Sequence, residues 1–250
     1  MIKDIEYILK NFFLSESYLL KKRLIRANKN NYEKELNILS RYSSPDMDAV
    51  DVGVYRGVYS YRLSQEFKHV HSFEANPLIY PFLKKNLPKI IRNISLYNCA
   101  LSDQDGLTKL KIPTRSKSFF KNNYEELYQL GAATIHANNN FNKFNAIEVK
   151  TKKMDDVLLD KKIGFIKIDV EGHEKEVIDG SKNIIKKYKP NLLVEIEEKH
   201  SKTKVVDTIN YINSLGYMSF YFYENELIET TKLKTFENIN NFIFKPQGKN

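Results

Sequence analysis

The chain has one cysteine, Cys99, in 250 residues. A lone cysteine excludes an internal disulfide framework and a thiolate zinc cluster, and it fits a reducing compartment. Long apolar runs are also missing. Stretches such as Leu192–Val194 and Phe165–Ile166 fall far short of the roughly 20 residues that a membrane-spanning helix needs. Lys3, Asp4, Glu6 and Lys10 interrupt the apolar residues at the N-terminus, so neither a signal peptide nor a membrane span is expected, and the expected location is cytoplasmic. No Walker-type phosphate loop is present. Nor is there an excess of acid: the formal charge is +9, with Lys+Arg 40 against Asp+Glu 31. The lysines are dispersed, with short clusters at Lys21–Arg23, Lys152–Lys153 and Lys186–Lys189. That spread reads as a solvated surface, so nucleic acid is not the expected partner. Core material is present in ordinary proportion, with 42% hydrophobic and 28% charged residues.

Periodicity predicts the organisation. Ile5, Ile8, Leu9 and Phe12, and later Leu36 and Leu39, recur at helical spacing, with a polar break at Ala27–Asn31. This is read as an N-terminal helical extension over 1–44, closed by Ser43-Ser44-Pro45. The remainder, 45–250, reads as one α/β domain. Strands are expected at Ala49–Gly53, Val70–Phe73, Ile94–Ala100, Phe165–Val170 and Asn191–Ile196. Helices are expected at Tyr59–Phe67, Leu78–Leu87, Glu174–Tyr188 and Thr203–Leu215. Tyr217–Tyr223 and Asn241–Phe244 read as a C-terminal antiparallel pair. Residues 105–153 break the rhythm as an insertion, with strands at Thr108–Ile112 and Ile147–Thr151 around a polar stretch containing Asn138–Asn140. Together these predict a Rossmann-like fold: a mostly parallel, seven-stranded sheet with helices on both faces.

In such a sheet all the parallel strands end at one edge, where ligands bind. Here the strands end in acids: Asp51, Glu74, Asp103, Asp169 and Glu195. Any one of them has an innocent reading as a turn or helix-start residue; the set marks a site. Gly53 and Gly57 permit a tight turn close to a ligand. Glu74 follows Gly53 at the spacing, about 20 residues, where an acid holds ribose hydroxyls. A dinucleotide needs Gly-x-Gly-x-x-Gly for its pyrophosphate, and the middle position here is Tyr55. S-adenosylmethionine has no phosphate and suits the pattern better.

The chain resembles the FkbM family of methyltransferases. The stretches that carry the resemblance are DVGVYRGVYSYRL (51–63), SFEANP (72–77), NCALSD (98–103), VKTKKMDDVL (149–158), IKIDVEGHEKEVIDG (166–180), KPNLLVEIEEKH (189–200) and NNFIFKP (240–246), spanning about residues 48–246. The resemblance implies a class I methyltransferase fold, S-adenosylmethionine as methyl donor, and a hydroxyl of a sugar, glycan or natural product as acceptor. Where the family's first loop usually reads Asp-Val-Gly-Ala-Asn-x-Gly, this chain has Val54-Tyr55.

The cofactor-binding candidates are therefore Asp51, Gly53, Tyr55, Gly57, Glu74, Ala100, Leu101, Asp103 and Asp169. The catalytic candidates are Asp169, His173 and Glu195. A histidine with an ordinary pKa of about 6.5 suits the removal of a hydroxyl proton, although at a helix start it also serves by bonding the backbone. His200 is held in reserve. Asp169, Glu171 and His173 offer oxygen and nitrogen donors to a divalent ion, but nothing fixes one, and no metal is predicted. The expected partner is a small-molecule or glycan acceptor. Two other functions stay open. One is an RNA ribose 2′-O-methyltransferase using Asp169 and Glu195 with Lys186 or Lys189; the other is a non-catalytic module that binds S-adenosylmethionine. Residues 122–145 and the N-terminal helices are expected to shape the acceptor pocket.

Overall fold

The computed structural model describes residues 14–29, 33–113, 133–135, 144–197, 204–233 and 235–248. Eleven strands lie among them. Strands β1 (Ser44–Val52), β2 (Phe67–Phe73), β3 (Ile94–Tyr97), β7 (Ile163–Ile168) and β8 (Asn191–Glu195) are parallel. Three more, β9 (Tyr217–Tyr223), β10 (Glu226–Glu229) and β11 (Asn241–Pro246), join them antiparallel. The sheet order is β10-β9-β11-β8-β7-β1-β2-β3. This mixed, eight-stranded sheet corrects the expected seven. The extra strand is β10, which folds back on β9 through Glu224-Asn225, both at positive φ (46° and 66°). Such a two-residue reversal matches the twist of its strands, but Glu-Asn carries a weaker sequence signal than Asn-Gly.

The strands alternate between two cores, which is why the sheet is covered on both faces. Val50, Val52, Ile166, Ile168, Leu192 and Val194 face one core, and Ala49, Phe165 and Leu193 face the other. The first core is closed by α4 (Met154–Leu158), α5 (Glu174–Asp179), α6 (Lys182–Tyr188) and α7 (Val205–Ser214). The second is closed by α2 (Val58–Leu63) and a 3₁₀ segment, Lys34–Tyr42. Helix α1 (Glu16–Lys29) buries Leu20 and Leu24 against Val54, Ile79 and Leu83, the last from α3 (Tyr80–Asn86). Each such side chain contributes about 1.5–3 kcal/mol on burial.

Other boundaries shift for local reasons. Phe67 opens β2, so α2 stops at Leu63. The expected helix over 174–188 is two helices broken at Gly180-Ser181. A Cβ on Gly180 would lie 2.0 Å from the Ser102 carbonyl oxygen, so this close crossing requires glycine. The expected strand 94–100 divides: β3 stays in the main sheet, while β4 (Ala100–Leu101) joins a second sheet of order β4-β6-β5. There β5 (Gly106–Pro113) and β6 (Phe144–Lys152) form the antiparallel pair expected in the insertion. Asn138–Asn140 and the first predicted helical residues, through Phe12, lie outside the described residues. No helix among the described residues is long and apolar enough to cross a membrane.

Candidate active site

The C-terminal ends of β1, β2, β7 and β8 open onto a cavity of about 380 Å³. Its floor forms where two loops cross. The Gly53 N–H donates to the Phe73 carbonyl (3.0 Å) and the Asp169 N–H donates to the Val52 carbonyl (3.0 Å). Gly53 has φ +87°, and a Cβ there would lie 1.9 Å from the Asp169 carbonyl oxygen. Only glycine lets the β1 and β7 loops approach this closely.

Of the predicted residues, Gly53, Tyr55, Glu74, Ala100, Leu101, Asp169, His173 and Glu195 line this cavity. Glu74 is buried at the end of β2. Its two carboxylate oxygens accept the backbone N–H groups of Tyr55 and Asn76, each at 2.8 Å. Burial pushes its carboxyl up to about 7 despite those bonds. Tyr55 sits at φ 48°, a left-handed conformation that asparagine tolerates better than most residues. That accounts for an asparagine in the usual family loop. Here the tyrosine keeps the turn, and Arg56 braces it, donating to the Tyr55 hydroxyl at 2.7 Å. Ala100 and Leu101, with Phe73, Ile79 and Cys99, give part of the cavity an apolar wall.

Asp51, Gly57 and Asp103 are not brought to the cavity wall. Val50 and Val52 face the first core, so alternation turns Asp51 to the other side of the sheet. There it accepts the Ser60 hydroxyl at 2.5 Å, its second oxygen is buried without a partner, and burial raises its carboxyl to about 6. Gly57 starts α2 above Leu87. Asp103 is exposed and accepts the Ser102 hydroxyl at 3.1 Å.

Two residues that the sequence reading left unassigned bear on the site, as does Glu171, which it weighed only as a metal donor. Lys167 is 1% exposed, and its Nζ lies 2.8 Å from Asp169 Oδ2 and 4.7 Å from the centre of the Tyr59 ring. Asp169, Glu195 and Asp51 all hold its ammonium in the charged form against burial. A lysine between two isoleucines of a buried strand must be paired, and that was the legible signal. Glu33, at the start of the 3₁₀ segment, lines the cavity as well. So does Glu171, which has φ 55° and whose carbonyl accepts the Thr134 hydroxyl at 2.7 Å. Ala133 and Ile135 flank that threonine and also reach the cavity.

Glu195 stands with Asp169 and Lys167. Burial and the Asp169 charge push its carboxyl upward, and Lys167 opposes the shift. His173 is held differently: Nε2 pairs with the Ser102 hydroxyl at 2.9 Å, and Nδ1 lies 3.5 Å from a Glu176 oxygen. Lys186 and Lys189 line a different cavity, beside Gly216 and Pro246. His200 lies outside the described residues. Among the described residues, no group of three or more His, Cys, Asp or Glu side chains converges to hold a metal ion.

The strand ends of the sheet thus surround an apolar slot, a buried acid at the end of β2 and a glycine turn without a pyrophosphate pattern. The FkbM methyltransferase domain matches residues 51–219, and the chain belongs to that family. A solved FkbM methyltransferase from Methylobacillus flagellatus KT shares the fold (TM-score 0.50, 17% identity), over 80% of this chain and 44% of that one. This chain therefore spans less than half of that protein. A putative methyltransferase from Streptococcus mutans, solved with S-adenosylhomocysteine, aligns at 10% identity over 86% of this chain and 96% of that one (TM-score 0.49). An rRNA methylase from Streptococcus thermophilus aligns at 11% identity over 85% and 94% (TM-score 0.45). No curated protein matches the chain.

S-adenosylmethionine is the cofactor of this family, and the residues fit it. Ala100, Leu101 and Phe73 give the cavity an apolar wall, the Glu74 carboxyl stands at the end of β2, and the Gly53 turn leaves the backbone open to close approach.

Proposed function

We propose that the protein transfers a methyl group from S-adenosylmethionine to a hydroxyl of a sugar, glycan or natural product. The observation that carries this reading is the Lys167–Asp169–Glu195 group, in which the two carboxylates line the cavity and Lys167 pairs with Asp169 from behind it. The cofactor supplies an electrophilic methyl: the acceptor O–C bond forms as the C–S bond breaks. The protein aligns the acceptor oxygen and takes its proton. In this reading Lys167 fixes the Asp169 carboxylate through their ion pair, Asp169 orients the hydroxyl, and Glu195 receives the proton. A carboxylate raised toward neutrality by burial is matched to that task. His173, the other proton acceptor expected from the sequence, already has both ring nitrogens opposite protein groups.

The discriminating experiment is a comparison of variants in a S-adenosylhomocysteine release assay. Asp169→Asn and Glu195→Gln are expected to lower turnover about 10²–10⁴-fold while cofactor affinity changes little. His173→Ala is expected to act mainly on cofactor affinity through Ser102. A His173→Ala variant that binds cofactor normally but loses turnover to the same extent returns the base to the histidine.

A further inference from the structure

We propose that Tyr59 is a positioning residue for the proposed reaction: its ring face holds the Lys167 ammonium against Asp169 and so fixes the carboxylate that meets the acceptor. This rests on the methyl-transfer reading and deepens it, because Tyr59 acts from behind the cavity and is not among the residues that line it. Lys167 stands near the end of β7 and is 1% exposed. A buried ammonium is costly to leave without partners, and this one carries three N–H donors on a flexible stem. Asp169 is the carboxylate at ion-pair distance from Nζ, at 2.8 Å. The Tyr59 ring is the other close partner, with its centre 4.7 Å from Nζ. An aromatic face attracts a cation at that distance through its quadrupole, most strongly where water is excluded.

The ring is built to keep its place. Tyr59 lies in α2, two residues after Gly57, which precedes the helix in the left-handed conformation (φ 77°). It is 7% exposed and shares the second core with Leu36, Leu39, Phe165 and Leu193. Ala49 and Phe165 face that core, so alternation carries Asp51 and Lys167 to the same side of the sheet. The ring therefore meets the lysine where the core gives way to the cavity. Burial, and after it the charges of Glu33, Glu35 and Asp169, push the phenol well above its ordinary value, so the ring stays neutral. Three carboxylates, those of Asp169, Glu195 and Asp51, attract the Lys167 charge. The ring contact restricts where the ammonium stands among them. An aliphatic side chain at position 59 has no such attraction, and the four-carbon stem is then free to redistribute the charge. Loosening Lys167 loosens Asp169, and alignment of the acceptor oxygen is what the proposed reaction asks of Asp169.

The test uses the full chain and reads the Glu195 carboxyl directly, by ¹³C NMR of glutamate labelled at the side-chain carboxyl, with Glu195→Gln assigning the signal. Lys167 lowers that carboxyl, so its titration midpoint reports where the ammonium stands. Tyr59→Leu and the longer Tyr59→Met should each move the midpoint upward by about 0.5–1 pH unit, the direction also expected for Lys167→Met. Tyr59→Phe keeps the ring face and should restore the wild-type midpoint. Tyr59→Leu should add nothing when Lys167 is already methionine, because a residue that acts through another has no effect once that one is gone. A midpoint that stays in place in Tyr59→Leu and Tyr59→Met overturns the proposal. So does an equal shift in Tyr59→Phe, which assigns the effect to the hydroxyl, or a full additional shift in the Lys167→Met background, which makes Tyr59 a packing residue. The midpoint is measured without an acceptor, so a chain that shows the expected shifts and transfers no methyl group counts against the methyl-transfer reading alone.

Discussion

In the proposed role, Glu74 is set against folding stability above neutral pH. Its carboxyl lies at about 7 in the folded chain against an ordinary 4.5. Between those values the folded state binds more protons than the unfolded state. The contribution of Glu74 to stability is therefore fully favourable below about 4.5 and declines as pH rises to about 7. Glu74→Gln should match the wild type in thermal stability near pH 5 and exceed it near pH 8. The same change should weaken S-adenosylmethionine binding by about 1.5–3 kcal/mol, the worth of a charged hydrogen bond. Calorimetry showing wild-type cofactor affinity in the variant removes Glu74 from the ribose site. Lys167 is the complementary case. Its charge favours ionisation of Glu195, so Lys167→Met should move the rising limb of the activity–pH profile to higher pH and lower turnover. Lys167→Arg should restore part of the profile. A limb that stays in place in Lys167→Met shows that the lysine only fills space.

At the scale of elements, the N-terminal segment is part of the domain it precedes. Leu20 and Leu24 of α1 and Leu36, Ile38 and Leu39 of the 3₁₀ segment are each 1% exposed. Their loss forfeits about 1.5–3 kcal/mol per side chain, so that together they are comparable to a typical domain's whole margin of about 5–15 kcal/mol. A chain beginning at Ser43 should therefore lose its cooperative thermal transition and its cofactor binding. Full turnover from that chain contradicts this account and detaches Glu33 from the cavity. The parallel core was legible because Ala49–Val52 and Phe165–Ile168 are short apolar runs that end in acids, and the glycine turn after β1 marked the binding edge. The direction of Asp51 was not read, although the alternation of Val50 and Val52 contains it. Residues β4 and β10 were less legible: a two-residue strand has no period to detect, and Glu-Asn is an unusual hairpin turn. Glu33 was hidden because its approach to the cavity is set by tertiary packing of a segment that reads only as helical.

The whole molecule sets a basic exterior around an acidic cavity. Dispersed lysines account for the formal charge of +9, while the strand ends concentrate carboxylates where the parallel sheet opens. The chain belongs to the FkbM methyltransferase domain family, and in the proposed reaction the Lys167–Asp169–Glu195 group favours oxygen as the atom methylated. That choice of atom is the central claim, and one measurement addresses it directly. The protein is incubated with S-adenosylmethionine carrying a ¹³C methyl and with a glycan acceptor, and the product is examined by ¹H–¹³C NMR. The account predicts a labelled methyl whose long-range correlation leads through oxygen to a carbinol carbon. Label found on nitrogen or carbon, or cofactor binding with no transfer to any acceptor hydroxyl, contradicts it.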